Sequence, residues 1–196
     1  MAERNVAIVV GSLREGSLNR RLSHELVRLA PAGLRFTEVG IGALPLYNED
    51  LEKGTPPREW AGFREAIGAT DAVLFVTPEY NRSMPGVLKN AIDVGSRPYG
   101  RSAWAKKPGA IVSVTSGALG AFGANHHLRQ SCVFLDMPIM PQPEAYLAKA
   151  GDYFGEDGRV KDEKLAGFLT GFMAAFADWI EKILRGPGDL ADDSRA

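Results

Sequence analysis

Residues 77–93 read Thr77-Pro78-Glu79-Tyr80-Asn81-Arg82-Ser83-Met84-Pro85-Gly86-Val87-Leu88-Lys89-Asn90-Ala91-Ile92-Asp93. They follow Ala72-Val73-Leu74-Phe75-Val76, an unbroken apolar run that predicts a strand buried on both faces. They lead into a helix, over about 84–95, for which Ser83 is the expected N-cap, with Pro85 in its first turn. An acid, an aromatic ring and two polar side chains therefore fall on a short loop after a buried parallel strand. That is where open α/β sheets bind ligands.

Working outward, the same grammar repeats. Val6 to Val10 is a second continuous apolar run, followed by Leu18, Leu22, Leu26 and Leu29 at helical spacing, with Pro31 and Gly33 as the stop. Leu34 to Val39 alternates as an outer strand does, and residues 40–57 read as a long loop. Arg58 to Gly68 predicts a helix with Trp60, Phe63 and Ile67 on one side. Ser96 to Lys107 is irregular, Ala110 to Val114 is a strand, and Ser116 to Asn125 is a glycine-rich loop before a helix over about 125–135. A last short strand is expected within 137–146. A long amphipathic helix is expected over 161–184, with Leu165, Phe168, Phe172, Met173, Phe176, Trp179, Ile180 and Ile183 inward. Strands alternating with helices predict a parallel sheet with right-handed crossovers and helices on both faces. No repeat or linker divides the chain, so residues 1–185 are read as one domain and 186–196 as a disordered polar tail.

Composition narrows the function. A formal net charge of −1 on 196 residues disfavours a dedicated nucleic-acid or anionic-membrane binder. The single cysteine, Cys132, allows neither an internal disulfide nor a cysteine metal cluster, and its apolar neighbours predict a buried thiol. Charged Glu3 and Arg4 precede only a short apolar run, so no signal peptide is read, and no run is long enough to span a membrane. The expectation is a cytoplasmic protein.

The first βα loop, Gly11-Ser12-Leu13-Arg14-Glu15-Gly16-Ser17-Leu18-Asn19-Arg20, has the layout of a phosphate site. A helix N-terminus carries a partial positive charge and unpaired N–H groups. Ser12, Ser17 and Asn19 add short polar side chains, and Arg14 or Arg20 a charge. Neither the nucleoside-triphosphate P-loop nor the dinucleotide glycine fingerprint matches. Tyr80 offers a face for a planar ring, and the glycines of Thr115-Ser116-Gly117-Ala118-Leu119-Gly120-Ala121-Phe122-Gly123 allow backbone to approach it closely. A phosphate and a flat ring together suggest a nucleotide-like cofactor.

Other chemistries lack support. His126 and His127, adjacent on a helix, point about 100° apart and cannot readily chelate one ion, and no His-Glu-x-x-His spacing occurs, so no metal is expected. Gly-x-Ser-x-Gly is absent, which leaves no nucleophile elbow of the α/β-hydrolase kind.

Gly-Ser-Leu-Arg-x-Gly-Ser-x-Asn from residue 11, paired with Pro-Glu-Tyr-Asn-x-Ser-x-Pro-Gly-x-Leu-Lys-Asn-Ala-Ile-Asp from residue 78, resembles the NADPH-dependent FMN reductases of flavodoxin-like fold, nearest to the bacterial quinone and chromate reductases. The similarity continues through 128–136 and 140–144 and spans about residues 5–184. It implies a three-layer sandwich around a five-stranded parallel sheet of order 2-1-3-4-5. It implies FMN with its phosphate on Ser12, Arg14, Ser17, Leu18 and Asn19, and its ring against Pro78, Glu79, Tyr80, Asn81 and Ser83 and against Ser116 and Gly117. It further implies a homodimer or homotetramer whose neighbouring subunit helps wall the ring, with Arg129, Glu144 and Tyr146 in a polar network between subunits. The third loop departs from the family's usual Gly-Gly ending, reading Gly120-Ala121-Phe122-Gly123-Ala124.

No catalytic side chain is expected, because the flavin carries the chemistry. NADPH or NADH would deliver a hydride and then give way to a quinone, or to an oxyanion such as chromate, in ping-pong fashion. Arg82 and Arg101 are the candidate substrate contacts, for nucleotide phosphates or an anionic acceptor. The chief rival is a flavodoxin-like electron carrier without its own NAD(P)H oxidation. Such carriers are strongly acidic, and this chain is not.

Overall fold

The computed structural model describes residues 3–185, so the tail expected at 186–196 lies outside the described residues. Five strands, β1 (Arg4–Val10), β2 (Leu34–Glu38), β3 (Ala72–Thr77), β4 (Gly109–Val114) and β5 (Ala145–Leu147), form one parallel sheet of order β2-β1-β3-β4-β5. This is the order that the resemblance implies. Among the described residues there are six α-helices, α1 (Leu18–Leu29), α2 (Glu49–Lys53), α3 (Arg58–Gly68), α4 (Gly86–Gly95), α5 (Phe122–Phe134) and α6 (Glu163–Leu184), and all but the short, unburied α2 pack on the sheet.

The strands alternate across the sheet with the two-residue period of a pleat. Val6, Ile8, Val10, Leu74, Val76, Val112 and Val114 pack with Leu22 and Leu26 of α1 and Phe172, Met173 and Phe176 of α6. Ala7, Val9, Val73, Phe75 and Ile111 pack on the opposite face with Trp60 and Phe63 of α3, Leu88 of α4 and Leu128 of α5. All six residues of β3 and of β4 are buried, which is why those runs carry no polar alternation.

Four expectations are corrected. The 40–57 loop contains α2, capped by Asn48, whose side chain accepts from the Asp50 N–H. The helix after β3 starts at Gly86 with Pro85 at its N-cap position, and Ser83 does not cap it. Ser83 belongs instead to a tight turn, exchanging backbone hydrogen bonds with Tyr80 at 2.9 and 3.0 Å. Helix α5 begins at Phe122, earlier than expected. On α6 the buried position is Leu169, whereas Phe168 is 38% exposed, because the packed stripe runs through Leu169, Phe172, Met173 and Phe176.

Glu25, on α1, is buried, yet it is a paired charge. Arg28 donates to its two oxygens at 2.7 and 2.8 Å, and the Val160 N–H at 3.2 Å ties in the segment before α6. The Arg28 hydrogen bonds hold this carboxyl below the usual carboxylate range despite the opposing push of burial. The folded pKa lies below the unfolded one. The stabilisation is therefore complete above the unfolded value of about 4.3 and disappears as pH falls through the lower folded value. Glu25→Gln should lower the thermal midpoint by roughly 2–4 °C at pH 7. In a thermal melt series the gap should close as the pH drops below about 4, and coincident midpoints at pH 7 would contradict this role.

A candidate cofactor site at the ends of β1 and β3

After β1 the chain crosses toward β2, and after β3 it crosses the other way toward β4. A crevice opens where the winding reverses, at the carboxyl ends of β1 and β3. Gly11 lets its two lips meet. Its N–H donates to Val76 O at 2.9 Å, and a Cβ there would lie 3.0 Å from Thr77 Oγ1, 3.2 Å from Leu88 and 3.3 Å from Pro78. An open cleft of about 400 Å³ lies between the lips, lined by Gly11, Leu13, Arg14, Tyr80, Pro85, Gly86 and Val87.

The first lip has the character of an anion cradle. Ser17 caps α1, its side chain accepting from the Arg20 N–H at 3.3 Å. That leaves the N–H groups of Leu18 and Asn19 without an acceptor among the described residues, and the first turn contains no acid. Ser12, Ser17 and Asn19 are buried at the base, while Arg14 is exposed at the rim. Arg20 points elsewhere, donating to Glu38 at 3.2 Å. Asn19 is only 4% exposed, and its Oδ1 is a fully buried acceptor with no hydrogen-bond partner. Such an orphan costs on the order of 1–3 kcal/mol unless something outside the chain meets it.

The second lip is a rigid turn. Asn81 and Arg82 both have left-handed backbone, with φ of 50° and 67°, between the hydrogen-bonded pair Tyr80 and Ser83. The turn consumes the N–H groups of Tyr80 and Ser83. Those of Glu79, Asn81 and Arg82 have no acceptor among the described residues. The Tyr80 ring is half exposed and free to stack. The Glu79 carboxylate accepts from the Ala124 N–H at 3.2 Å, so it caps α5 from another loop. Ala121, at the helix's own cap position, has no side chain able to do so. Gly123 permits that contact, since a Cβ there would lie 2.7 Å from Arg82 O. The Ser83 hydroxyl pairs with His127 Nδ1 at 2.9 Å, which anchors the turn to α5 from its other end.

The third loop forms a further wall. Its Gly117 O accepts from the Lys149 N–H at 2.8 Å, and its Gly117 N–H donates to Thr115 Oγ1 at 3.2 Å, whereas Ser116 is exposed. Gly120 has φ of 60°, and a Cβ there would sit 2.6 Å from the carbonyl carbon of Tyr146. Behind the loop lies a buried network. Ser113 Oγ donates to Gly120 O at 2.7 Å, the Asn125 side-chain amide donates to Ser113 Oγ at 3.2 Å, and Arg129 donates to Asn125 Oδ1 at 2.9 Å and to Met140 O at 3.0 Å. Arg129 thus has partners within its own chain. Burial and the Glu144 carboxylate push the Tyr146 hydroxyl up to about 12. His126 pairs with that hydroxyl at 2.9 Å.

Sequence reading missed Ser113 and Asn125 as determinants of this loop. One signal was present: a lone serine inside Ala110–Val114 is a polar group in a strand buried on both faces, which must find a partner. Asn90 was also missed. It holds the 44–47 segment by accepting from the Tyr47 N–H at 2.8 Å and donating to Leu44 O and Pro45 O. Arg101 is exposed in the 96–107 segment and is not one of the residues lining the cleft. Burial pushes the Cys132 thiol up to about 12, so it stays protonated and inert. Among the described residues no cluster of three metal-ligating side chains occurs, and no helix is long and apolar enough to cross a membrane.

A phosphate cradle and a stacking turn facing each other at the switch point of a 2-1-3-4-5 sheet define a flavodoxin-like, mononucleotide-binding class of protein. The chain belongs to the NADPH-dependent FMN reductase family, whose model matches residues 4–152. It is 59% identical over 177 residues to a quinone reductase of Pseudomonas putida KT2440, covering 90% of this chain and 95% of that protein. It is 46% identical to the 2-hydroxy-1,4-benzoquinone reductase of a Burkholderia species, over 89% of this chain and 95% of that one. Among solved structures it is similar to FerB, a flavoenzyme NAD(P)H:(acceptor) oxidoreductase from Paracoccus denitrificans, with a TM-score of 0.86 and 45% identity over 91% of this chain and 98% of FerB. The protein is an oxidoreductase, with FMN as cofactor and NAD(P)H as co-substrate.

The residues present fit FMN. The orphaned Asn19 Oδ1 meets a donor when a ribityl hydroxyl or a protonated phosphate oxygen lies beside it, and the free N–H groups of α1 suit an anion. Asn19→Ala should therefore weaken FMN binding by about tenfold or more, while costing the apoprotein less than about 1 kcal/mol, because it removes an unpaired polar atom. Fluorescence titration and thermal melts of the apoprotein measure the two effects. Full FMN affinity in the variant would remove Asn19 from the cradle.

Proposed function

We propose that the protein is an FMN-dependent NAD(P)H:quinone oxidoreductase. The observation that carries this reading is the open cleft between the phosphate cradle and the Tyr80 turn, in a member of the FMN reductase family. Bound FMN supplies two-electron chemistry between a pyridine nucleotide and an acceptor. Ser12, Arg14, Ser17, Leu18 and Asn19 hold its phosphate. Pro78, Tyr80 and Asn81 bear on one side of the ring, and Ser116 and Gly117 approach its edge. The open N–H groups of Glu79, Asn81 and Arg82 are the donors available for charge developing at that edge. Glu79 and Ser83 act one step back, by fixing the turn to α5. One cleft serving two substrates in turn supports ping-pong kinetics.

The acceptor class follows the relatives, which are named for quinones. Chromate is an incidental acceptor drawn by the rim arginines, and the cytoplasm is the working compartment. The active species is a homodimer or homotetramer. Val133 and Phe134 at the end of α5 are each 80% exposed, and Tyr99 is 88% exposed. Between α4 and α5 an open groove of about 390 Å³ runs past Ile92, Arg97, Gln130 and Phe134. Apolar side chains left in water beside a groove favour a second copy as the cover, which would also help enclose the ring.

The deciding experiment is a visible spectrum of the purified protein followed by anaerobic NADPH. The expected result is a flavin spectrum that bleaches within the mixing time and returns on addition of a quinone. A flavin that persists under NADPH would make the protein an electron carrier, and failure to retain added FMN would reject the assignment. Arg101→Ala should raise the KM for NADPH several-fold more than that for a neutral quinone. Equal changes in steady-state assays would exclude Arg101 from nucleotide binding.

A further inference from the structure

Arg82 occupies a backbone position that favours glycine. The two central residues of the 80–83 turn are both left-handed, and turns of this geometry prefer Asn followed by Gly. Asn81 fits that preference, whereas Arg82, with φ of 67°, does not. The backbone of residue 82 is fixed from two sides, by the Tyr80–Ser83 hydrogen bonds and by the close approach of Gly123 to its carbonyl oxygen. Its side chain is not held. It is 74% exposed, and its ion-pair partner among the described residues is Glu79, at 3.7 Å. Glu79 already serves the Ala124 N–H with its other oxygen.

A pair of that length, with its arginine in solvent, stabilises less than a left-handed residue with a Cβ costs. Folding alone therefore favours glycine at 82, and strain retained at the rim of a binding cleft points to function. Arg82 follows Tyr80 by two residues, and Tyr80 lines the cleft together with Arg14, so an exposed side chain at 82 flanks the lining without belonging to it. Arginine's planar fork suits phosphate oxygens, which it can take two at a time.

We infer that Arg82 is a phosphate anchor for the incoming pyridine dinucleotide. This rests on the flavin-reductase reading and adds to it the residue that selects the co-substrate. A diphosphate and a 2′-phosphate offer the same chemistry, so both are tested. The experiment measures dissociation constants of NAD⁺ and NADP⁺ on the FMN-loaded protein by calorimetry, the thermal midpoint, and the KM of a neutral quinone, for wild type, Arg82→Gly and Arg82→Lys.

Arg82→Gly should raise the thermal midpoint yet weaken nucleotide binding by about 10- to 100-fold, with the quinone KM unchanged. Arg82→Lys, which keeps the charge and loses the fork, should recover only part of the affinity, without the gain in midpoint. A loss confined to NADP⁺ assigns the 2′-phosphate, and an equal loss for both nucleotides assigns the diphosphate. Unchanged affinity for both nucleotides in Arg82→Gly, or a quinone KM that rises in step, overturns the inference while a wild-type flavin that bleaches with NADPH leaves the flavin reading intact. A wild type that takes up no FMN fails that reading itself and the anchor with it.

Discussion

The pairing of β1 with β3 is the constraint on which the site depends. Val6 to Val10 run parallel to Ala72 to Val76 in register, and the ladder ends where the Gly11 N–H meets Val76 O. That last contact brings one lip of the cleft against the other, because Gly11 has no Cβ to hold off Thr77, Pro78 and Leu88. A shift of one residue would turn the inward set of β1 to the opposite face and pull the cradle away from the turn. Both strands are wholly apolar over the paired stretch, so neither face offers a slipped register a solvated alternative. Core packing and site geometry are here the same requirement.

Around this junction the loops owe their shape to polar groups from elsewhere in the chain. The Tyr80 turn is held at Glu79 and at Ser83, and both partners lie on α5. The third loop is held from beneath by Ser113 and Asn125. Helix α5 is therefore the common support of two walls. The preorganised donors of the site are oriented before any ligand arrives, which is the condition under which fixed dipoles are most effective. His127, although exposed, belongs to this support through its hydrogen bond with the Ser83 hydroxyl.

What the sequence revealed was the periodic part. The runs at 6–10, 72–76 and 110–114, and the helices at 18–29 and 58–68, follow from side-chain patterns that burial on two faces or one imposes locally. The cradle was legible too, because Ser17 is a local cap and Asn19 lies two residues on. Interactions across the chain were not legible. The start of α5 depends on a carboxylate 45 residues away, which no local capping pattern registers. The Ser83 cap failed because the turn at 80–83 took the Ser83 N–H and Pro85 set the helix start. The short helix at 49–53 was hidden by flanking prolines and glycine although Asn48 caps it by the ordinary rule.

The places where this chain breaks local rules are not scattered. Elsewhere, buried polar groups are satisfied: Glu25 has Arg28 and Val160, Asn90 has the 44–47 backbone, and Ser113 and Asn125 have each other. Asn19 Oδ1 is the buried side-chain acceptor left unpaired among the described residues, and it lies in the cradle. Arg82 is a long side chain in a left-handed turn, and it lies on the facing lip. Left-handed non-glycine residues also occur at Lys106, Ala121, Asp136 and Lys149, but there the backbone makes contacts that use the conformation: the Lys106 N–H donates to Asp136 O at 2.6 Å, the Asn125 N–H to Ala121 O at 3.1 Å and the Lys149 N–H to Gly117 O at 2.8 Å. Arg82 has no such return from its side chain. An orphaned acceptor and a strained arginine on two facing lips are what results where selection for a ligand opposes selection for stability at those positions. The two lips differ in what they lack: Asn19 is a shielded acceptor awaiting a donor, and Arg82 a solvated cation awaiting an anion. A phosphorylated cofactor seated deep and a second phosphorylated molecule arriving at the rim meet both conditions together, whereas a single ligand held in the cradle accounts only for the first.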